Sequence, residues 1–232
     1  MSIRLNSDFR DYYDFAFPSE GDHTFDRIAG DRTMSKLEQF RLLSGLGLRV
    51  PFVALGRDLP TQTPLQSSDL VVVYTDDRAH CGEGKKLVSL SALLIADKEL
   101  LCSQWINTTG LLSRATSYRL LQIGGRSWLL RYDGEGGWMS NHCEDTQIFI
   151  EGECLGFQRW SNHVIDGLPL FAIDFVVPVH APTPETIDDV IRDGYAVDFN
   201  SAPGMRWTGM DDLLSAIEVC NLIEGWVLKE RQ

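Results

Sequence analysis

No stretch of this chain approaches the roughly 20 consecutive apolar residues that a membrane-spanning helix requires, and its opening, MSIRLNSDFR, lacks the apolar core of a secretory signal. The expected compartment is the cytoplasm, with no membrane partner. Basic residues are scarce: 21 Lys and Arg stand against 33 Asp and Glu, for a formal net charge of −12. That deficit argues against a surface for nonspecific nucleic acid or for anionic lipid, both of which demand positive charge. Cysteine is sparse. The five positions, Cys81, Cys102, Cys143, Cys154 and Cys220, are odd in number and contain no CxxC spacing, which fits reduced thiols better than a disulfide framework. His80-Cys81, His142-Cys143 and Cys154 raise the possibility of zinc. Neighbours on a strand point to opposite faces, however, so each pair offers one good ligand at most.

What is present suits a folded chain. At 232 residues, with 44% hydrophobic and 10% aromatic residues, it can bury a core as one large or two small domains. The most informative stretch is Leu170 to Met205, where two apolar runs each carry an acid. Leu170 to Val177 holds Asp174; Tyr195 to Asn200 holds Asp198 and then Asn200. Alternation along a strand puts Asp198 and Asn200 on one face and Tyr195, Val197 and Phe199 on the other. Carboxylates among β-branched and aromatic residues are costly unless something positive meets them. A divalent cation would do so, since Asp and Asn oxygens suit magnesium, with waters and substrate phosphates completing its shell. Solvated edge positions or ion pairs would account for the same acids.

Upstream, RTMSKLEQFRLLSGLGLRVP predicts a helix capped by Thr33 or Ser35, with Leu37, Phe40 and Leu43 on its apolar face and Gly45 to Gly47 ending it. On chemistry alone its Lys36 reads as a solvated helix lysine. Asp69 to Thr75 predicts a strand, followed by a loop in which Gly82 and Gly84 give backbone freedom near Lys85 and Lys86. Such a loop can cover phosphate, although Ala79 stands where a Walker A motif needs its first glycine. Leu100 to Ile106 predicts a strand running into a loop, and Trp105 there suits either a core or a stacking surface. SYRLLQIGGRSWLLRYD predicts a hairpin about Gly124-Gly125. A strict two-residue turn sets Arg119 and Arg131 on opposite faces, and a one-residue bulge would align them; ion pairs with the many acids are the alternative role for both. Glu144 to Pro169 gives little periodicity. Thr183, Pro184 and Gly194 bracket a short helix between the two acidic strands, and Thr208 is expected to cap a last helix with Met210, Leu213, Leu214, Ile217 and Cys220 on one face.

The segments FAIDFV and AVDFNSAPGM resemble the end of the ATP-grasp domain of carboxylate–amine ligases such as glutathione synthetase and the D-alanine:D-alanine ligase. In order along the chain, the resemblance runs from about Met34 to Asp212. It implies an α+β fold, a mostly antiparallel sheet with a small α/β lid: a leading segment and helix over 1–68, a nucleotide-covering lid over 69–106 and a catalytic sheet domain over 107–232. It implies ATP and magnesium as cofactors, the metal on Asp174, Asp198 and Asn200. Lys36 and Lys85 would meet phosphate, Gln104, Trp105 and Ile106, with Ser103, the adenine pocket, and Asn141 would also serve the nucleotide. Arg119 and Arg131 would be the catalytic arginines. The partners implied are nucleotide and a small-molecule or peptide carboxylate, joined to an amine through an acyl phosphate. The family's usual N-terminal substrate domain is expected to be missing or reduced to about thirty residues. Tyr74 and Thr75 stand where the family has Lys-Pro. That departure also supports a catalytically inactive protein that senses nucleotide or binds a partner; a small-molecule kinase is a further reading.

Overall fold

The computed structural model describes residues 34–59, 65–66, 68–78, 84–96, 98–109, 114–134, 137–140, 147–153, 170–200, 210–215, 218–219, 221–223 and 225. They form an α+β architecture of two antiparallel sheets. The smaller sheet has the order β1-β4-β2-β3, from β1 (Val53–Leu55), β2 (Leu70–Tyr74), β3 (Lys85–Ser89) and β4 (Leu101–Gln104). The larger has the order β7-β6-β5-β8-β9, from β5 (Ala115–Ile123), β6 (Arg126–Gly134), β7 (Gln147–Glu153), β8 (Leu170–Val176) and β9 (Tyr195–Asn200). Four helices accompany them among the described residues: α1 (Lys36–Gly45), α2 (Leu90–Ala96), α3 (Ile187–Asp193) and α4 (Met210–Leu213).

Helix α1 starts at a capping box. The Ser35 side chain accepts from the Glu38 amide while Glu38 accepts from the Ser35 amide, a reciprocal arrangement in which losing the serine costs about 1 kcal/mol. The same device opens α3, but at Thr186 with Asp189 and not at the expected Thr183. Thr186-Ile-Asp-Asp189 has the required spacing of three and Thr183 does not, so the helix begins there and still ends at Gly194. The expected last helix is interrupted. Leu214 and Ser215 break it after α4, and Ser215 with Glu218 forms another reciprocal cap before the chain returns to helix. Leu213, expected inside, is 51% exposed. Thr208, Ile217 and Cys220 lie outside the described residues.

The larger sheet buries both faces. On one, Leu120, Phe171, Ile173, Phe175 and Phe199 pack with Leu43 of α1 and Val190 of α3. On the other, Leu121, Ile123, Trp128 and Leu170 pack beneath Met210, Leu214, Val219 and Ile223. Each such side chain contributes about 1.5–3 kcal/mol when fully buried, so the sheet is clamped between two apolar layers over most of its area. The smaller sheet packs α2 on its outer face through Val71, Val73, Leu90 and Leu93. Its inner face carries Val72 and Tyr74, which meet Phe40 of α1. Helix α1 therefore touches both sheets.

Strands β1 and β7 carry no alternation that marks them in the sequence; β1 gains its place by pairing with β4. The connection between the acidic strands, which the sequence leaves open to either direction, is an antiparallel return, since β8 and β9 pair antiparallel.

The hairpin about Gly124-Gly125 is a strict two-residue turn, with Ile123 opposite Arg126. Gly124 has φ +56°, and a Cβ there would lie 2.2 Å from the Leu222 carbonyl oxygen. Gly125 has neither constraint. Gly124→Ala is therefore expected to cost about 2–3 kcal/mol and Gly125→Ala a few tenths, read as urea midpoints. Equal midpoints for the two variants would contradict this turn.

Candidate functional site

Residues directly opposite one another in an antiparallel pair share a face. Arg119 of β5 is opposite Asp174 of β8, and Asp174 is opposite Asp198 of β9. The three form one row across the sheet, with Asn200 in the next row opposite Ala172 on the same face. The expected alternation of β9 fails at one point: register shifts between Asp174 and Phe175, so that Ala196 and not Val197 lies opposite Phe175. Val197 is the extra residue of a bulge, a device that re-aims a neighbouring side chain. It lets Asp198 join the charged row while Ala196 and Phe199 remain in the apolar layer on the other side.

Both carboxylates have their own cations. Arg119 Nε donates to Asp174 Oδ1 at 2.6 Å and Nη2 to Oδ2 at 2.8 Å, a planar two-point pair with side chains only 15% and 11% exposed. Burial opposes the charge on Arg119, but the Asp174 carboxylate more than restores it, and the guanidinium stays protonated. Lys36, far from solvated, is 2% exposed and donates to Asp198 Oδ1. It also donates to Gln39 Oε1 at 3.0 Å; that oxygen takes the Phe199 amide at 3.3 Å, and Gln39 Nε2 donates to the Met34 carbonyl at 3.1 Å. One turn of α1 is thus clasped to β9 beside Asp198. Burial pushes the Asp198 carboxyl up; the charges of Lys36, Lys85 and Arg119 and the Lys36 hydrogen bond outweigh it, and the group lies below its usual value.

The inner face of the smaller sheet is aromatic. Tyr74 meets Phe40 edge-on with centroids 6.3 Å apart, and Trp105 and Trp138 pack against the pair with Val72. The Tyr74 hydroxyl exchanges a hydrogen bond with Ser103 Oγ at 3.0 Å, so the residue standing where the resembling family has lysine is a buried, neutral phenol. Burial raises its pKa, the Ser103 bond lowers it, and the Asp198 charge raises it further. Gln104 and Ile106 are half-buried on either side of Trp105, and the Gln104 amide donates to the Phe52 carbonyl at 2.9 Å.

Of the residues singled out by sequence, Lys36, Lys85, Arg119, Asp174, Asp198 and Asn200 come together on one side of the larger sheet. Arg131 does not. The turn has no bulge, so Arg131 lies opposite Tyr118 and Phe149, bonded to Asp133 on the far face. The β6 residue opposite Arg119 is Leu130, and Tyr132 lies one row along on the same face, with the Arg119 guanidinium 5.1 Å from its ring centroid. Sequence reasoning missed it, although it is simply the next residue in the alternation. It also missed Gln39, which the i,i+3 spacing from Lys36 would have flagged. Asn141 lies outside the described residues, as do His80, Cys81, His142, Cys143 and Cys154. Cys102 is buried in the smaller sheet, with Sγ 3.3 Å from the Leu100 carbonyl oxygen.

Among the described residues no three His, Cys, Asp or Glu side chains gather to hold a metal ion. The row does offer hard oxygen donors from Asp174, Asp198 and Asn200. A carboxylate oxygen has lone pairs beyond one hydrogen bond, and magnesium needs one or two carboxylates plus phosphates and water. The donors fit that ion. With three cations around two carboxylates, the row without a metal already favours an anion.

No family model and no curated protein matches the sequence. Among solved structures the fold is similar to the ATP-grasp ligase PsnB complexed with a minimal precursor, at 11% identity and a TM-score of 0.55 over 84% of this chain and 60% of that one. It is similar also to PsnB complexed with a phosphomimetic variant of its minimal precursor, Mg and ADP, at 11% identity and 0.56 over 84% and 58%. The VanG D-Ala:D-Ser ligase from Enterococcus faecalis lies further off, at 15% identity and 0.48 over 84% and 61%. The fold is that of the ATP-grasp ligases, and the chain spans about three fifths of the length of the PsnB chains it matches.

Removing the Lys36 ammonium leaves Asp198 and Gln39 partly uncompensated. Since the Asp198 side chain is 30% exposed, Lys36→Met is expected to lose about 1–3 kcal/mol at pH 7, less than a fully buried pair would. The folded carboxyl lies below its unfolded value, so the ion pair's contribution is complete above about pH 4 and fades as pH falls through the lower, folded value. Urea midpoints of wild type and Lys36→Met should accordingly converge below about pH 4. A gap that widens on acidification would contradict the pair.

Proposed function

We propose that this chain is an ATP-dependent ligase that joins a carboxylate to an amine through an acyl phosphate and requires magnesium. The observation that carries the reading is the single row of Arg119, Asp174 and Asp198, with Lys36 behind it and Asn200 beside it. Asp174, Asp198 and Asn200 would hold magnesium, which supplies charge neutralisation along the phosphates. Lys36, Lys85 and Arg119 would hold and screen phosphoryl oxygens. The half-buried Gln104, Trp105 and Ile106 would take the base, with Trp105 offering a flat apolar face. The fold shared with PsnB, a ligase captured with a minimal precursor, Mg and ADP, supports nucleotide use and a carboxylate that is carried on a small molecule or a peptide.

The chemistry asks for position and electrostatics more than for a protein nucleophile. A substrate carboxylate oxygen bonds to the γ-phosphorus as the bond to ADP breaks. An amine then bonds to the acyl carbon, loses its proton, and inorganic phosphate leaves. Arg119, locked by Asp174 in a nearly buried fork, meets the charge that develops without having to reorganise.

A second reading has a specific observation behind it. Tyr74 puts a neutral, buried hydroxyl where a lysine would add a further cation, and fewer cations at the phosphates favour a nucleotide-binding protein without turnover. Thermal shift and ADP release separate the two.

On the ligase reading, Mg-ATP raises the melting temperature, and ADP forms only with magnesium, carboxylate and amine together. Asp198→Ala is expected to lower ADP release by about 10²–10³-fold with an unchanged circular dichroism spectrum. Stabilisation by Mg-ATP with no ADP from any carboxylate and amine pool would favour the non-catalytic reading; no stabilisation at all would end both.

A further inference from the structure

Tyr132 stands on the face of β6 that the larger sheet shares with Arg119, opposite Ser117 and one row from Arg119. The residue is 6% exposed, and its hydroxyl oxygen is the buried side-chain polar atom that lacks a hydrogen-bond partner among the described residues. Its ring is fixed: one edge joins the apolar layer with Leu130 and Met210, and the Arg119 guanidinium lies 5.1 Å from its centroid. A buried hydroxyl without a partner is destabilising, so a hydroxyl kept at such a position calls for an explanation.

The chemistry of the neighbours narrows the explanation. Arg119 has only donors, so whatever it offers Tyr132, the phenol proton still lacks an acceptor. Asp174 presents both oxygens to Arg119 in the two-point pair. Burial raises the phenol's pKa against the opposing Arg119 charge, which keeps the proton in place to be donated. What completes this corner is an anionic oxygen, which would accept from Tyr132 and be drawn in by the Arg119 charge.

We infer that Tyr132 is a ligand-binding residue whose hydroxyl donates to a phosphoryl oxygen of the bound nucleotide beside Arg119, on the face that Arg131 does not reach. This rests on the nucleotide reading above and goes beyond it, since nothing in the sequence pattern marks Tyr132. Ser117 and Ser140, both buried on this side, bond to each other, so among the described residues the Tyr132 hydroxyl is the buried side-chain group left without a partner.

The test is Tyr132→Phe, which keeps the ring and removes only the oxygen. In the free protein the melting temperature should hold or rise by about 2–4 °C, because an unsatisfied buried group is gone. The dissociation constants for Mg-ATP and Mg-ADP, measured by calorimetry, should show Mg-ATP weakened about 10–100-fold, the range for a hydrogen bond to a charged group. Loss with Mg-ATP alone places the hydroxyl on the terminal phosphoryl group, and loss with both places it on the inner phosphates; either supports the assignment. A variant that binds Mg-ATP as tightly as wild type overturns it while leaving the ligase reading intact. A free variant that is clearly destabilised also overturns it, since the hydroxyl would then have a structural partner. Wild-type protein that binds no Mg-ATP removes the nucleotide reading, and this assignment with it.

Discussion

The structure depends on placing two carboxylates and their counter-cations in one row with little solvent to screen them. Asp174 and Asp198 would each be costly on a sheet whose two faces are mostly apolar, and an unpaired buried charge is among the most expensive features a fold can carry. Each is met from a different element: Asp174 by Arg119 on the adjoining strand, Asp198 by Lys36 on α1. The second pairing draws the helix onto the sheet, so the electrostatics of the row and the packing of α1 against β9 are the same constraint. Gln39 extends it by tying the ammonium to the backbone of the strand that carries the acid.

Much of this was legible in the sequence, and the reason is local. The acids at 174 and 198 stand out because their neighbours are β-branched or aromatic, and a polar residue in such a run is informative whatever surrounds it. The helix over 36–45 and the hairpin at Gly124-Gly125 are written in capping and turn residues that act within a few positions. Cations were harder to place. Lys36 looked like a solvated helix lysine, since nothing near it in sequence reveals that the helix docks beside a strand 162 residues away. The side of the sheet on which Arg131 stands followed from turn length alone, once the bulge that would have moved it proved absent from that hairpin.

The bulge is in β9 instead, and single-residue irregularities of that kind have little sequence signature. Val197 resembles any β-branched strand residue, yet the register shift there separates Ala196 from Asp198. β1 and β7 escaped for a related reason: an edge strand is defined by the neighbour it pairs with, and three-residue β1 has too little pattern to declare itself. What could not be read was therefore tertiary: which elements meet, and on which side.

The irregularity at Val197 bears on how this site can vary. Substituting Asp198 alters one group and leaves its surroundings where they were. Losing Val197 would remove only the bulge and leave Ala196 and Asp198 opposite Phe175 and Asp174, whereas losing Phe199 would turn the strand beyond Asp198 by one step and carry Asn200 into the oily layer beneath. This end of the sheet can thus spare one residue before the carboxylate and none after it.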